Sequence, residues 1–265
     1  YFRYLEECKN RGIKIIISVR DFPWDEPHHN QLQDWVLYTQ NIVCKYYADS
    51  ILVHGDKRIL PLISDRTRQA NSVQIIKDIE PIVKYTGYVC DENQPVHNQK
   101  DNNIYVSTGL NKDEAVTVFK KIAEIAHYYP DYNFIMPIAN KYNSMGGRKN
   151  KNIYLVEYVP ELRTKLATCA AYITYGGYNA TVEILKGRVP SIIVPRQSGR
   201  KMEQFVRAFT FEPYDFFKVM TMQEFGGIKS LVDEIISGYK PNPFTYNLQG
   251  TSNTADILSE IYNES

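Results

Sequence analysis

Short β-branched runs alternate with longer stretches of helical spacing along the chain. The runs are IKIIISV (13–19), DSILVHG (49–55), IVKYTGY (82–88), NIYVST (103–108), YNFIMPI (132–138), NIYLVEY (152–158), AAYITY (170–175) and PSIIVP (190–195). Most are continuously apolar, as expected of strands covered on both faces. Helical spacing occupies about 31–47, 112–128, 161–168, 179–187, 203–211 and 228–237. The alternation predicts an α/β fold built on doubly wound parallel sheets. The polar stretch CDENQPVHNQKDNN (90–103) has no periodicity and reads as a linker. The expected organisation is therefore a first Rossmann-like domain over 1–98, a second over 99–250 and a terminal helix from 251 to 265 that returns to the first domain. Only three strands precede the linker, whereas a doubly wound domain usually has five or six. The first domain is thus expected to be completed by residues upstream of Tyr1 or by another polypeptide.

Composition removes several classes of function. Of 265 residues, 43% are apolar, enough for a substantial core. The 31 basic and 30 acidic side chains nearly cancel, which disfavours nucleic acid as a partner. Cys8, Cys44, Cys90 and Cys169 lie far apart, with neither zinc-site spacing nor a disulfide framework, which fits a cytoplasmic setting. No run approaches the roughly 20 apolar residues of a membrane span, so membrane association is expected to be peripheral at most.

The chemistry concentrates at the carboxyl ends of the strands in the second half. YGGYNATVE (175–183) joins a strand to a helix through two glycines. Without Cβ atoms, Gly176 and Gly177 would let a phosphate reach the backbone amides, and the helix that follows points its positive end at the anion. Asn179 and Glu183, four residues apart, share one helix face, which places a carboxylate one turn beyond such a phosphate. The plainer reading is a turn in which Asn179 caps the helix and Glu183 merely favours its first turns. Val159, before Pro160, is pushed to an extended conformation that ends the strand next to Tyr158 and exposes backbone groups able to read a base edge. VPRQSGRKMEQ (194–204) brings Arg196, Arg200, Glu203 and Gln204 after the last strand, and VSTG (106–109) ends another strand with Ser107 and Thr108.

The series VSTG, YVPEL, YGGYNATVEIL, VPSIIVPR and EQFVRA resembles the donor-binding domain of GT-B glycosyltransferases, close to the MurG-like family 28 group. SVRDFPWDEP (18–27), ILVHGD (51–56) and YTGYV (85–89) are similar to a predicted prokaryotic branch of that group. The resemblance covers most of residues 13–210 and implies a nucleotide-sugar donor, most simply a UDP-sugar. It assigns Gly176, Gly177 and Asn179 to the pyrophosphate, with Thr181 in the same donor-binding set. Glu183 goes to the ribose, Tyr158 and Val159 to the base, and Glu203 with Gln204 to the sugar. Ser107 and Thr108 fall near the phosphates. The glycine-rich amino-terminal loop of such enzymes, often carrying a histidine base, has no counterpart here.

Sugar transfer needs a base for the acceptor hydroxyl and positive or N–H groups for the departing diphosphate. Arg196 and the helix dipole suit the second task. No D-x-D pair ends a strand, so no metal is expected. For the base, the loop RDFPWDEPHH after the first strand offers Asp21, Asp25, Glu26, His28 and His29, of which Asp21 is the leading candidate beside a base upstream of Tyr1, and Arg20, Asp21 and His28 are expected to touch the acceptor. His54 and Asp56 also end a strand, His54 reading as a structural pair. The leading expectation is an inverting, metal-independent glycosyltransferase acting on a glycan, lipid-linked or small-molecule acceptor. The alternatives are a donor-binding subunit that needs a partner chain, or a nucleotide-sugar hydrolase or epimerase.

Overall fold

The computed structural model describes residues 2–20, 42–61, 77–91, 93, 95–107, 112–137, 150–196 and 203–263. Two compact units divide the chain, one formed by residues 1–90 with 245–265 and the other by 91–244.

In the first unit, helix α1 (Phe2–Asn10) precedes three strands, β1 (Ile16–Val19), β2 (Ser50–Val53) and β3 (Val83–Tyr85). They pair in parallel in the order β1-β2-β3. Ile51 and Val53 are buried with Cys44 and Ile79, and Ile17, Val19, Val83 and Tyr85 pack against them. Helix α7 (Gly250–Asn263; α2 to α6 follow below) belongs to this unit and is tied to the end of β3, because Asn253 donates to the Thr86 carbonyl at 2.7 Å and Gly250 N–H to the Tyr88 carbonyl at 3.1 Å.

A buried carboxylate organises the turn after β2. Asp56 takes the Arg58 guanidinium through both oxygens, Nε to Oδ1 at 2.9 Å and Nη2 to Oδ2 at 2.7 Å, and it also accepts the Asn247 N–H at 3.0 Å. The Arg58 bonds hold its pKa down from 3.8 to about 2. A depressed carboxylate stabilises the fold at pH values above its unfolded pKa, and this contribution fades as pH falls from about 4 towards 2. Asp56→Asn is therefore expected to lower unfolding free energy at pH 7 by about 1–3 kcal/mol, the worth of bonds to a charged group. The variant should also flatten the acid limb of a urea-denaturation series; an unchanged limb would remove Asp56 from this role.

The second unit carries β4 (Asn103–Ser107), α2 (Lys112–Ile125), β5 (Asn133–Pro137), β6 (Ile153–Val156), α3 (Leu162–Leu166) and β7 (Ala171–Thr174). There follow α4 (Tyr178–Gly187), β8 (Ser191–Ile193), α5 (Glu203–Phe211), β9 (Lys218–Val219) and α6 (Ile228–Ile236). Among the described residues these six strands are parallel, in the order β6-β5-β4-β7-β8-β9. The expected α/β class with doubly wound parallel sheets is what the chain adopts. Ile104, Val106, Ala171, Ile173, Ile192 and Val194 form one core with Val118, Phe119 and Ile122 of α2 and Ile228, Val232 and Ile235 of α6. Alternation along the strands sends Tyr105, Ser107, Tyr172, Thr174 and Ser191 to the opposite face.

The strand order fixes where a ligand can enter. From β4 the chain adds β5 and β6 on one side, then returns to place β7, β8 and β9 on the other, so the direction of winding reverses between β4 and β7. Open parallel sheets bind ligands beyond the carboxyl ends of their strands at such a switch point. Residues 95–101, within the stretch read as linker, are hydrogen-bonded to this unit, His97 N–H to the Gly187 carbonyl and Asn98 N–H to the Ala167 carbonyl.

Candidate functional site

Ser107 at the end of β4 and Thr174 at the end of β7 are register partners across the switch point. The Ser107 hydroxyl lies 2.7 Å from the Tyr172 hydroxyl and donates to Thr174 at 3.2 Å. Tyr172 is buried, and desolvation raises its pKa, which keeps the phenol neutral. Beneath the strand ends, therefore, lies a neutral hydroxyl cluster. Thr108 falls outside the described residues.

Two residues past Thr174, the chain turns into α4. Gly176 has φ +72°, and a Cβ there would stand 2.6 Å from the Cγ2 atom of Ile193, so both backbone and packing require glycine. Gly177 is the residue that caps α4, with φ −59° and ψ 155°, and no side chain supplies a capping hydrogen bond. The first intrahelical bond runs from Thr181 N–H to the Gly177 carbonyl at 2.9 Å, which leaves the preceding amides of the turn without an intrahelical partner. Asn179 is thus the second residue of the helix and not its cap, which corrects the capping role that the plainer sequence reading gave it. Asn179 is exposed, while Glu183, one turn along, is partly buried.

Three polar atoms near this edge are buried and have no hydrogen-bond partner among the described residues: Thr181 Oγ1, Gln204 Oε1 and Arg196 Nε. Thr181 is 1% exposed and Gln204 7%. The Thr181 hydroxyl lies against Gly176, 3.7 Å from where its Cβ would be. An orphaned buried polar atom costs about 1–3 kcal/mol, and native interiors avoid it unless an ion, water or ligand completes the bond. Arg196 follows β8 on the same edge, and Glu203 and Gln204 open α5.

Two arginines act here that sequence reasoning did not single out. Arg163 on α3 donates through Nε (3.2 Å) and Nη2 (3.1 Å) to Glu183 Oε1, and through Nη1 to Asp91 at 2.7 Å. The carboxylate assigned to the ribose is thereby held in place from the neighbouring helix. Arg207 on α5, only 3% exposed, donates Nη1 to the Gly176 carbonyl at 2.9 Å. Its signal was present: Gln204, Arg207, Ala208 and Phe211 form a stripe at helical spacing in which all four are buried, so two polar residues occupy core positions. Tyr158 is 68% exposed just past β6, and Val159 is partly buried.

On the first unit, Arg20 is exposed at the end of β1, while Asp21, Asp25, Glu26, His28 and His29 fall outside the described residues. The carboxyl ends of β1, β2 and β3 are linked through His54, whose Nε2 is 2.7 Å from Ser18 Oγ and whose Nδ1 is 2.9 Å from Thr86 Oγ1. The Thr86 hydroxyl is directed at the Val53 and Gly87 carbonyls, so it accepts from Nδ1–H and leaves Nε2 to accept from Ser18. Burial pushes the His54 pKa down, consistent with this neutral tautomer. His54 is structurally paired, as its place in the sequence suggested.

No protein-family model matches the chain. No curated protein sequence matches it either. Solved structures do. The structure of LpCGTa in complex with UDP matches with a TM-score of 0.61 at 13% identity, over 97% of this chain and 66% of that one. The glycotransferase of kitacinnamycin matches with a TM-score of 0.58 at 15% identity, over 87% and 64%. UGT89C1 from Arabidopsis thaliana, complexed with UDP, matches with a TM-score of 0.58 at 11% identity, over 96% and 68%. At these identities the likeness is one of fold, that of GT-B glycosyltransferases. This chain spans less than two thirds of the first two. Among the described residues no helix is long and apolar enough to cross a membrane.

Proposed function

We propose that the second unit binds a nucleotide-sugar donor, a UDP-sugar in the first instance, and that the protein transfers the sugar to an acceptor hydroxyl. The observation that carries this reading is the uncapped Gly176–Gly177 turn at the switch point, bordered by the orphaned Thr181, Gln204 and Arg196 atoms. A diphosphate accepts from main-chain amides at a helix N-terminus, and a sugar supplies hydroxyls for orphaned acceptors and donors. The likeness of the fold to structures solved with UDP supports the same choice of donor. In the finer reading the unit is akin to the MurG-like group.

The roles follow from position. Gly176, Gly177, Asn179 and Thr181 border the diphosphate, with Ser107 at the adjoining strand end; Thr108, next in sequence, is assigned to the same phosphates. Glu183, steadied by Arg163, accepts from ribose hydroxyls, and the backbone at Tyr158 and Val159 faces the base. Glu203 and Gln204 hydrogen-bond the sugar. In the transfer the acceptor oxygen attacks the anomeric carbon from the face opposite the leaving group and inverts it. The bond to the diphosphate breaks, and the acceptor proton passes to a base, for which Asp21 is our candidate, with Arg20 and His28 beside the acceptor. Arg196 and the amino end of α4 stabilise the charge that develops on the departing diphosphate without a metal.

Thermal-shift titration with UDP-, GDP-, CDP- and dTDP-sugars tests the reading, since a ligand bound only to the native state stabilises it by about 2.7 kcal/mol at one hundred times its Kd. A UDP-sugar is expected to raise the melting temperature most. Glu183→Ala should weaken its binding about tenfold, the loss of one charged hydrogen bond. A flat response to all four donors overturns the reading; an unaltered Glu183→Ala titration removes that residue from the site.

A further inference from the structure

We propose that Arg207 is a positioning residue that makes the Gly176–Gly177 turn select a nucleoside diphosphate over an uncharged nucleoside. The proposal rests on the donor-binding reading above and deepens it.

A single buried cation touches both sides of the turn. Arg207 Nη1 donates to the Gly176 carbonyl at 2.9 Å, and its guanidinium carbon lies 5.7 Å from the ring centroid of Tyr178, the first residue of α4. The first contact has a geometric consequence. The Gly176 carbonyl and the Gly177 N–H belong to one planar trans peptide unit, so the two bonds point in opposite directions. By holding the oxygen from the buried side, Arg207 aims the Gly177 N–H away from itself, towards the more open side of the turn, where Gly177 is partly exposed and Gly176 is buried. Gly176 at φ +72° is the only residue type that takes this conformation without strain, and the guanidinium locks the conformation that glycine alone leaves loose.

The second consequence is electrostatic. A guanidinium 3% exposed is poorly screened by water and salt, so its positive charge adds to the partial charge at the start of α4. Both effects act on an anion at the turn, and neither acts on a neutral nucleoside. Gln204, one helical turn before Arg207, and Thr181 against Gly176 carry their unpartnered atoms in the same neighbourhood.

The test compares the affinities of UDP and uridine, as probes, in wild type and three variants by calorimetric competition. Arg207→Gln keeps a donor for the Gly176 carbonyl but loses the charge. Arg207→Met loses both and keeps the packing of the stem, which secures the comparison where the amide is not tolerated. Arg207→Lys keeps the charge. The two neutral variants are expected to lose at least about tenfold in UDP affinity while uridine stays within about twofold; Lys should stay within about threefold of wild type for UDP. A parallel loss of UDP and uridine would reveal a purely structural residue and overturn the proposal. So would neutral variants that bind UDP like wild type, or a Lys variant as weak as Met. Wild-type protein that binds UDP while the neutral variants keep its preference for UDP over uridine sinks only Arg207; wild-type protein that binds no nucleoside diphosphate sinks the functional reading with it.

Discussion

Gly177→Ala is expected to abolish measurable nucleotide binding, a loss of about a hundredfold or more, while leaving the fold close to wild-type stability. With φ −59° and ψ 155°, Gly177 occupies backbone space open to any L residue. The three atoms nearest to a Cβ there all belong to the Tyr175 side chain, at 3.2–3.5 Å, and that side chain can give by a few tenths of an ångström. A Gly-to-Ala change at a compatible conformation is worth about 0.4–1 kcal/mol in favour of folding, which offsets the crowding. The added methyl nevertheless sits at the mouth of the turn where a diphosphate must touch the amides. Gly176→Ala should behave differently and lose both properties. Its φ of +72° costs a non-glycine residue about 1–2 kcal/mol, and its Cβ would press on Ile193, which is fully buried. The neighbouring glycines thereby separate binding from folding. Calorimetry with UDP and urea denaturation on both variants read the two quantities independently. A Gly177→Ala protein with wild-type UDP affinity would place the diphosphate elsewhere.

The contrast between these glycines also shows what was legible before the structure. The strands of both sheets stand out as β-branched runs because parallel strands are buried on both faces and their apolar residues are contiguous. The two-residue β9, Lys218–Val219, carries no such run and escapes notice; it forms because β8 offers it an edge. Nor does any local pattern disclose that the winding reverses between β4 and β7, since strand order depends on long-range pairing rather than on the strands themselves. The site divides in the same way. Gly176, Gly177, Asn179 and Glu183 are legible because a turn and a helix face are local. That Asn179 would not cap the helix, that Glu183 would be gripped by Arg163, and that Arg207 would reach the Gly176 carbonyl are tertiary facts. Only the Arg207 pattern left a trace, as polar residues in the buried stripe of α5.

A second large effect is expected from Gly250→Ala, at the first residue of α7. Gly250 is buried, and a Cβ there would lie 2.6 Å from the Gly87 carbonyl oxygen, 2.6 Å from the Tyr88 carbonyl carbon and 2.7 Å from the Tyr88 oxygen. These are backbone atoms, which cannot rotate aside as the Tyr175 ring can. Relief requires the start of α7 to separate from the segment after β3. That separation strains the bonds joining them, Tyr88 N–H to the Asn247 carbonyl at 2.8 Å, Gly250 N–H to the Tyr88 carbonyl at 3.1 Å and Asn253 to the Thr86 carbonyl at 2.7 Å. Three bonds at about 1 kcal/mol each, with the overlap itself, put the loss at about 3 kcal/mol or more. Gly238→Ala is the control: its φ is +105° but nothing lies within 4 Å of the added atom, so it carries conformational strain without collision. Hydrogen exchange should show the amides of Thr251–Asn263 losing protection in Gly250→Ala and keeping it in Gly238→Ala. Equal protection in both variants would mean that close backbone approach at Gly250 does not hold the terminal helix to the first unit.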